Sequence, residues 1–296
     1  MIDIEDVNLV VKGFNGLLNK TLAVMEVIII VFVIVPLLIL GIYRLFPVFV
    51  SWQTEVLGFP FPVFGHVVMI IISLLAIVVR RKTFKDYGLT MVKSKYQLDI
   101  AAACFVPVVI ANIPFGLGVN HTSWGGSLIL AVLRIGLLFY LASILCKKPP
   151  AQGIGIVTIG LLLVLPASST ATATVGKALS LFLTYAFFVG FGEEIIYRGY
   201  MQSRLNEAFG KPYLFYGVAY GWGAVLTSFL FGLTHVGIIS WVVGISNEVT
   251  WAWGFWTFFS GLVFSFVREK SGGILAPALL HGLPQAIATV VMLLVQ

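Results

Sequence analysis

Charge is what this chain has least of. Asp, Glu, Lys and Arg make up 10% of its 296 residues while apolar types make up 59%, whereas about a quarter of a soluble domain is charged. That composition excludes a water-soluble globular domain. The two cysteines, Cys104 and Cys146, are too few for a disulfide framework or a cysteine-built metal site, and both read as packing residues. The first twenty residues hold acids (Asp3, Glu5, Asp6) where a cleaved leader has a basic region, so no signal peptide is expected. H-E-x-x-H is missing, linker-like stretches are absent and no internal repeat stands out. One integral-membrane domain over residues 1–296 is the simplest organisation.

What is present is a series of apolar runs, each near the roughly 20 residues that one crossing needs. They fall near 23–46, 61–79, 99–118, 127–146, 152–168, 176–196, 217–241, 252–267 and 273–294. The expected fold is an all-α polytopic bundle of eight or nine spans. Basic residues test that count. Lys12 and Lys20, the run Arg80 to Lys95, Lys147-Lys148, the stretch with Arg198, Arg204 and Lys211, and Arg268 with Lys270 all fall on one side. Arg44 and Lys177 lie opposite, and Arg134 is inside the fourth span. Positive loops face the cytoplasm, which puts the N-terminus in and the C-terminus out. The net charge of +6 therefore reflects topology and implies no nucleic-acid partner. The expected partners are the lipid bilayer and a substrate, and the sequence does not set the oligomeric state. Trp52, Trp124, Trp241, Trp251 and Trp253 stand near span ends, as in an aromatic belt.

Against this background Glu193-Glu194-Ile195-Ile196-Tyr197-Arg198 is conspicuous, because a carboxylate at membrane depth costs roughly 2.5–3.5 kcal/mol on insertion scales. Glu194 and Arg198 are four apart with Glu first, the favourable order for an ion pair on one helix face. Glu193 lies about 100° around the helix, so it is free for chemistry while its neighbour braces Arg198. Phe231 with His235 and His281 with Gln285 repeat the four-residue spacing on later spans. Pro284 frees a backbone carbonyl beside the last pair. A carboxylate and a histidine converging on one water make a general base, and a second His and an amide can hold an oxyanion. His66 and His121 read as helix-bridging hydrogen-bond partners.

Depth adds a constraint. At 1.5 Å per residue, His281 is about 12 Å beyond Gly273 and His235 about 36 Å beyond Lys211. The two meet only if residues 211 to 219 bend or lie along the interface, with the span beginning near Tyr220.

E-E-x-x-x-R at Glu193–Arg198, F-x-x-x-H at Phe231–His235 and the late His281 after Ile274-Leu275-Ala276-Pro277-Ala278-Leu279-Leu280 together resemble the CAAX-protease and bacteriocin-processing family, which includes the type II CAAX prenyl endopeptidases. The resemblance runs from about Phe188 to Gln285, within a family-like core near 176–294. It implies a glutamate-dependent intramembrane endopeptidase that needs no cofactor or metal and removes a C-terminal tripeptide from prenylated proteins or peptides. Glu193 and His235 would activate the water, His281 and Gln285 would hold the oxyanion, and Glu194 and Arg198 would brace the site. The family most often has Asn where this chain has Gln285. The cavity would open to the cytoplasmic side.

Two other readings use the same polar cluster. A zinc-dependent membrane protease needs two His and a Glu around the metal; here they are spread over three helices without an evident carboxylate to orient the ligating histidines. A transporter or non-catalytic scaffold would suit Arg134, but the first half of the chain has no counterpart of the Glu/His cluster, which an inverted repeat would supply.

Overall fold

A computed structural model describes residues 4–146, 172–238 and 248–295. Nine helices run through the described residues. They are α1 (4–45), α2 (Pro47–Glu55), α3 (Phe64–Val79), α4 (Ser94–Gly116), α5 (Trp124–Cys146), α6 (172–209), α7 (Trp222–His235), α8 (Trp251–Ser271) and α9 (Leu275–Val295). The protein is a polytopic helical membrane bundle. Five of these helices contain segments long and apolar enough to cross a membrane: Gly16–Leu45, Ser94–Phe115, Trp124–Cys146, Val175–Phe209 and Leu275–Leu293. The expected span 152–168 and Trp241 lie outside the described residues.

The remaining helices differ from the expected spans for physical reasons. α3 is apolar but shorter than those five. α7 has 14 residues, because the chain before it folds as a β-hairpin, β1 (Tyr213–Phe215) against β2 (Val218–Tyr220). Tyr216 and Gly217 both take positive φ, 49° and 75°, as a two-residue hairpin turn requires. The hairpin occupies the stretch that the depth argument kept out of the membrane span. α8 buries residues on most of its sides, among them Ala252, Thr257, Ser260 and Phe266; a helix enclosed by protein needs less apolar surface than one facing lipid. Pro284 is accommodated inside a continuous α9. Trp52, Trp124 and Trp251 are exposed, as belt residues should be.

Two buried amides set the helices that carry the site. Gln53 Oε1 accepts from the backbone N–H groups of Val63 and Phe64 at 3.1 and 3.2 Å, satisfying donors that the start of α3 leaves free. Gln97 Oε1 accepts from Leu275 N at 3.1 Å, while the backbone of Ile274 donates to the Gly88 carbonyl at 3.0 Å. These contacts fix the first turn of α9, six residues before His281.

Polar clamps tie the basic end of the bundle. Glu26 on α1 accepts from Arg80, Tyr200 and Arg204 at 2.8, 2.7 and 2.8 Å. Glu269, two residues past the 252–267 span, accepts from Gln202, Asn206 and Lys211 at 2.7, 2.7 and 3.1 Å, with Arg268 at 3.3 Å. Burial alone would raise the Glu269 carboxyl, but Arg268 and Lys211, aided by the Gln202 hydrogen bond, hold it below its ordinary value. A depressed carboxylate contributes stability at neutral pH and loses it as pH falls below the unfolded value near 4.5. Glu269→Ala leaves Arg268 and Lys211 without their partner and is expected to cost about 3–5 kcal/mol. Melting curves in detergent check this, and the difference from wild type should shrink under acid conditions.

Candidate active site

α6 is built from alternating helix types. α-Helical Thr172–Leu183 passes into π-type Thr184–Val189, α-helical Gly190–Glu194, π-type Ile195–Met201 and α-helical Gln202–Phe209. The two carboxylates thus stand at the C-terminal end of one short α segment between two π segments, a helix type often found at functional sites. Gly190 and Gly282 let α6 and α9 touch backbone to backbone. A Cβ on Gly190 would lie 2.8 Å from the Ala278 carbonyl, and one on Gly282 would lie 2.6 Å from the Tyr185 carbonyl. Gly282→Leu must therefore push the helices apart, at about 1–3 kcal/mol for overpacking. We expect its catalytic loss to exceed that of any exposed substitution of equal stability cost, measured by activity against melting temperature.

At this contact Glu194 and Arg198 form a fully buried pair, with NH1 donating to Oε1 at 2.8 Å. The second guanidinium nitrogen donates to the Gly261 carbonyl at 3.2 Å. Three aromatic rings surround the same cation. Phe231 lies 4.5 Å from its centre, Phe264 5.4 Å and Tyr197 5.8 Å, a desolvated cation–π cage worth about 2 kcal/mol or more at its best contact. The i,i+4 spacing in the sequence is thus realised as an ion pair.

His281 adds a contact that spacing did not reveal. Its Nδ1 lies 3.0 Å from Glu194 Oε1, and a carboxylate accepts only, so Nδ1 carries the proton. Its Nε2 then faces Glu193 Oε2 at 3.8 Å, and its ring stacks on Phe264 at 4.8 Å. On the other side of Glu193, His66 Nε2 lies 3.6 Å from Oε1. Both distances exceed a direct hydrogen bond. Glu193 is thus flanked by two imidazoles without being locked by either. One oxygen of Glu193 and one of Glu194 are buried with no donor among the described residues.

His235 stands at the edge of this group. Its Nδ1 donates to the Phe231 carbonyl at 2.8 Å, so in the neutral tautomer Nε2 is the acceptor. Phe231 sits between the two imidazoles, 4.5 Å from His235 and 6.1 Å from His281. Among the described residues, the carboxylate–imidazole contacts within 4 Å made by Glu193 are to His66 and His281, not His235. Gln285 is exposed, and its backbone carbonyl accepts from Thr289. Five of the six expected site residues are thus linked by direct contact or through Phe231, while Gln285 stands apart. Among the described residues no group of three His, Cys, Asp or Glu side chains is arranged to hold a metal ion.

Residues 175–287 match the family model described as type II CAAX prenyl endopeptidase, Rce1-like. The resemblance read from the motifs is borne out by this match. This segment is Rce1-like. It takes in α6, the hairpin, α7, α8 and the first half of α9, and so holds every site residue except His66. The family so described is one of CAAX-type membrane proteases. No curated protein and no solved structure matches the chain.

His66 lies outside the Rce1-like segment, on α3, and sequence reasoning assigned it to helix packing. The signal that could have found it is the one that marked His235 and His281, an ionisable residue inside an apolar run. A Cβ on Gly192 would sit 3.0 Å from His66 Cβ, so the third glycine of α6 makes room for this ring.

Proposed function

We propose that the protein is an intramembrane endopeptidase in which Glu193 and His235 activate water to cleave the C-terminal tripeptide from a prenylated protein or peptide. The observation that carries this reading is the unequal state of two adjacent carboxylates. Glu194 is neutralised by Arg198, whereas Glu193 has imidazoles at 3.6 and 3.8 Å and, among the described residues, no Lys or Arg bound directly to it. A carboxylate held loosely beside imidazoles is equipped to accept a proton from water and pass it on. His281, oriented by Glu194, stands on the oxyanion side in this proposal, and Gln285 joins only if substrate draws its side chain inward.

A lipidated substrate has a place beside this site. Trp124, Phe229, Gly232, Leu233, Val236 and Phe258 help line an apolar cavity of about 260 Å³. Gly232 follows Phe231 and Val236 follows His235 in the chain, so in this proposal an isoprenoid chain held there would bring its peptide to the His235 side of the site. By the distribution of basic loops, the N-terminus and the mouth of the site face the cytoplasm, and residues 1–296 act as one membrane domain.

The test is incubation of the purified protein with a farnesylated CAAX peptide beside its unprenylated twin, with products mapped by mass spectrometry. Release of a tripeptide from the farnesylated peptide supports the reading, and preference over the twin supports the lipid site. An intact farnesylated peptide in the presence of folded protein sinks it. Inhibition by a chelator, reversed by zinc, would favour the metal-dependent alternative.

A further inference from the structure

Arg134 takes no part in the Glu193 site, yet it is buried in the middle of α5 at 5% exposure. One of its nitrogens donates to Asn112 Oδ1 at 2.5 Å, and its guanidinium lies 5.5 Å from the Trp256 ring. Arg134 Nε and Trp256 Nε1 are both buried without an acceptor among the described residues. Among the described residues no carboxylate lies within 4 Å of the guanidinium. Both unsatisfied groups are donors only, and the charge beside them is positive. A cation at membrane depth is costly and is ordinarily paired. The chemistry that completes this site is an anion, and a carboxylate suits a guanidinium fork.

The position of the site says which carboxylate. Trp253, one turn before Trp256 on α8, has its ring 5.5 Å from His235. His121 touches both tryptophans, at 5.3 and 6.5 Å. A row of aromatic rings therefore leads from His235 to Arg134 over a few side-chain contacts.

We propose that Arg134 and Trp256 bind the C-terminal carboxylate of the peptide substrate. This rests on the proteolytic reading above and adds the group that recognises a free chain end. Asn112 is a positioning residue that holds the guanidinium through its Oδ1.

The test compares a farnesylated peptide ending in a free carboxylate with its C-terminal amide. Wild type should cleave the acid with a KM about tenfold lower, the yield of one good charge-assisted contact. Arg134→Gln should remove that preference, and Arg134→Lys should restore part of it. Equal handling of acid and amide by wild type overturns the proposal, as does a preference that survives in Arg134→Gln. A binding measurement separates this from failure of the proteolytic reading. An apolar tripeptide acid, but not its amide, should raise the melting temperature of the full-length wild-type protein in detergent, whether or not cleavage occurs. If vesicles of phosphatidylglycerol protect wild type over Arg134→Gln and the tripeptide acid does not, the site takes a lipid anion and the peptide assignment is wrong.

Discussion

Arg198→Ala is expected to be the most damaging single truncation in the molecule. It strands Glu194, whose side chain is 0% exposed and whose other partner among the described residues is His281, and breaking a buried ion pair from one side costs about 3–5 kcal/mol. It also empties the cage formed by Phe231, Phe264 and Tyr197 and releases the Gly261 carbonyl. Against a total stability of about 5–15 kcal/mol, such a loss should leave little folded protein, melting about 10 °C lower. Arg198→Lys keeps the charge but has neither the fork nor the flat face, and should recover only part of the stability. Melting curves and the yield of monodisperse protein in detergent check both.

Glu193→Gln is expected to have the largest effect on activity. Gln has nearly the same shape but no basic oxygen pair, and loss of a positioned general base lowers rates by about 10²–10⁴-fold. Its imidazole neighbours lie beyond direct hydrogen-bonding distance, so the fold should hardly register the change. Single-turnover cleavage should fall about a thousandfold with a melting temperature close to wild type.

Much of the architecture was legible because the bilayer imposes it. Runs of about 20 apolar residues are crossings whatever their neighbours do, and α1, α4, α5, α6 and α9 follow from that rule. The hairpin at 213–220 was legible indirectly, since His235 could not otherwise lie at the depth of His281. The two π segments of α6 were not legible, because helix type depends on the packing of α6 against α9 and α3 more than on local propensity. The shortness of α7 followed from the hairpin before it.

At the site, the Glu194–Arg198 pair was readable because both partners belong to one helix turn. The Glu194–His281 contact was not, since it spans 87 positions and depends on Gly190 and Gly282 bringing two backbones together. His66 escaped for the same reason: nothing near it in sequence points to α6. Glu193 and His235 were read as converging on one water; the Phe231 ring packs on His235 at 4.5 Å, and the imidazoles within 4 Å of Glu193 are those of His66 and His281. Spacing on a helix reports faces, whereas which faces meet is decided by small residues far away in the chain.

The division of labour between two neighbouring carboxylates is tested most directly by purifying Glu193→Gln and Glu194→Gln and measuring, for each, melting temperature and cleavage of the same farnesylated peptide. The account predicts that Glu193→Gln melts like wild type and does not cleave, while Glu194→Gln melts well below wild type because Arg198 and His281 lose their shared partner. A Glu193→Gln protein that cleaves at the wild-type rate, or a Glu194→Gln protein that keeps wild-type stability, would contradict it.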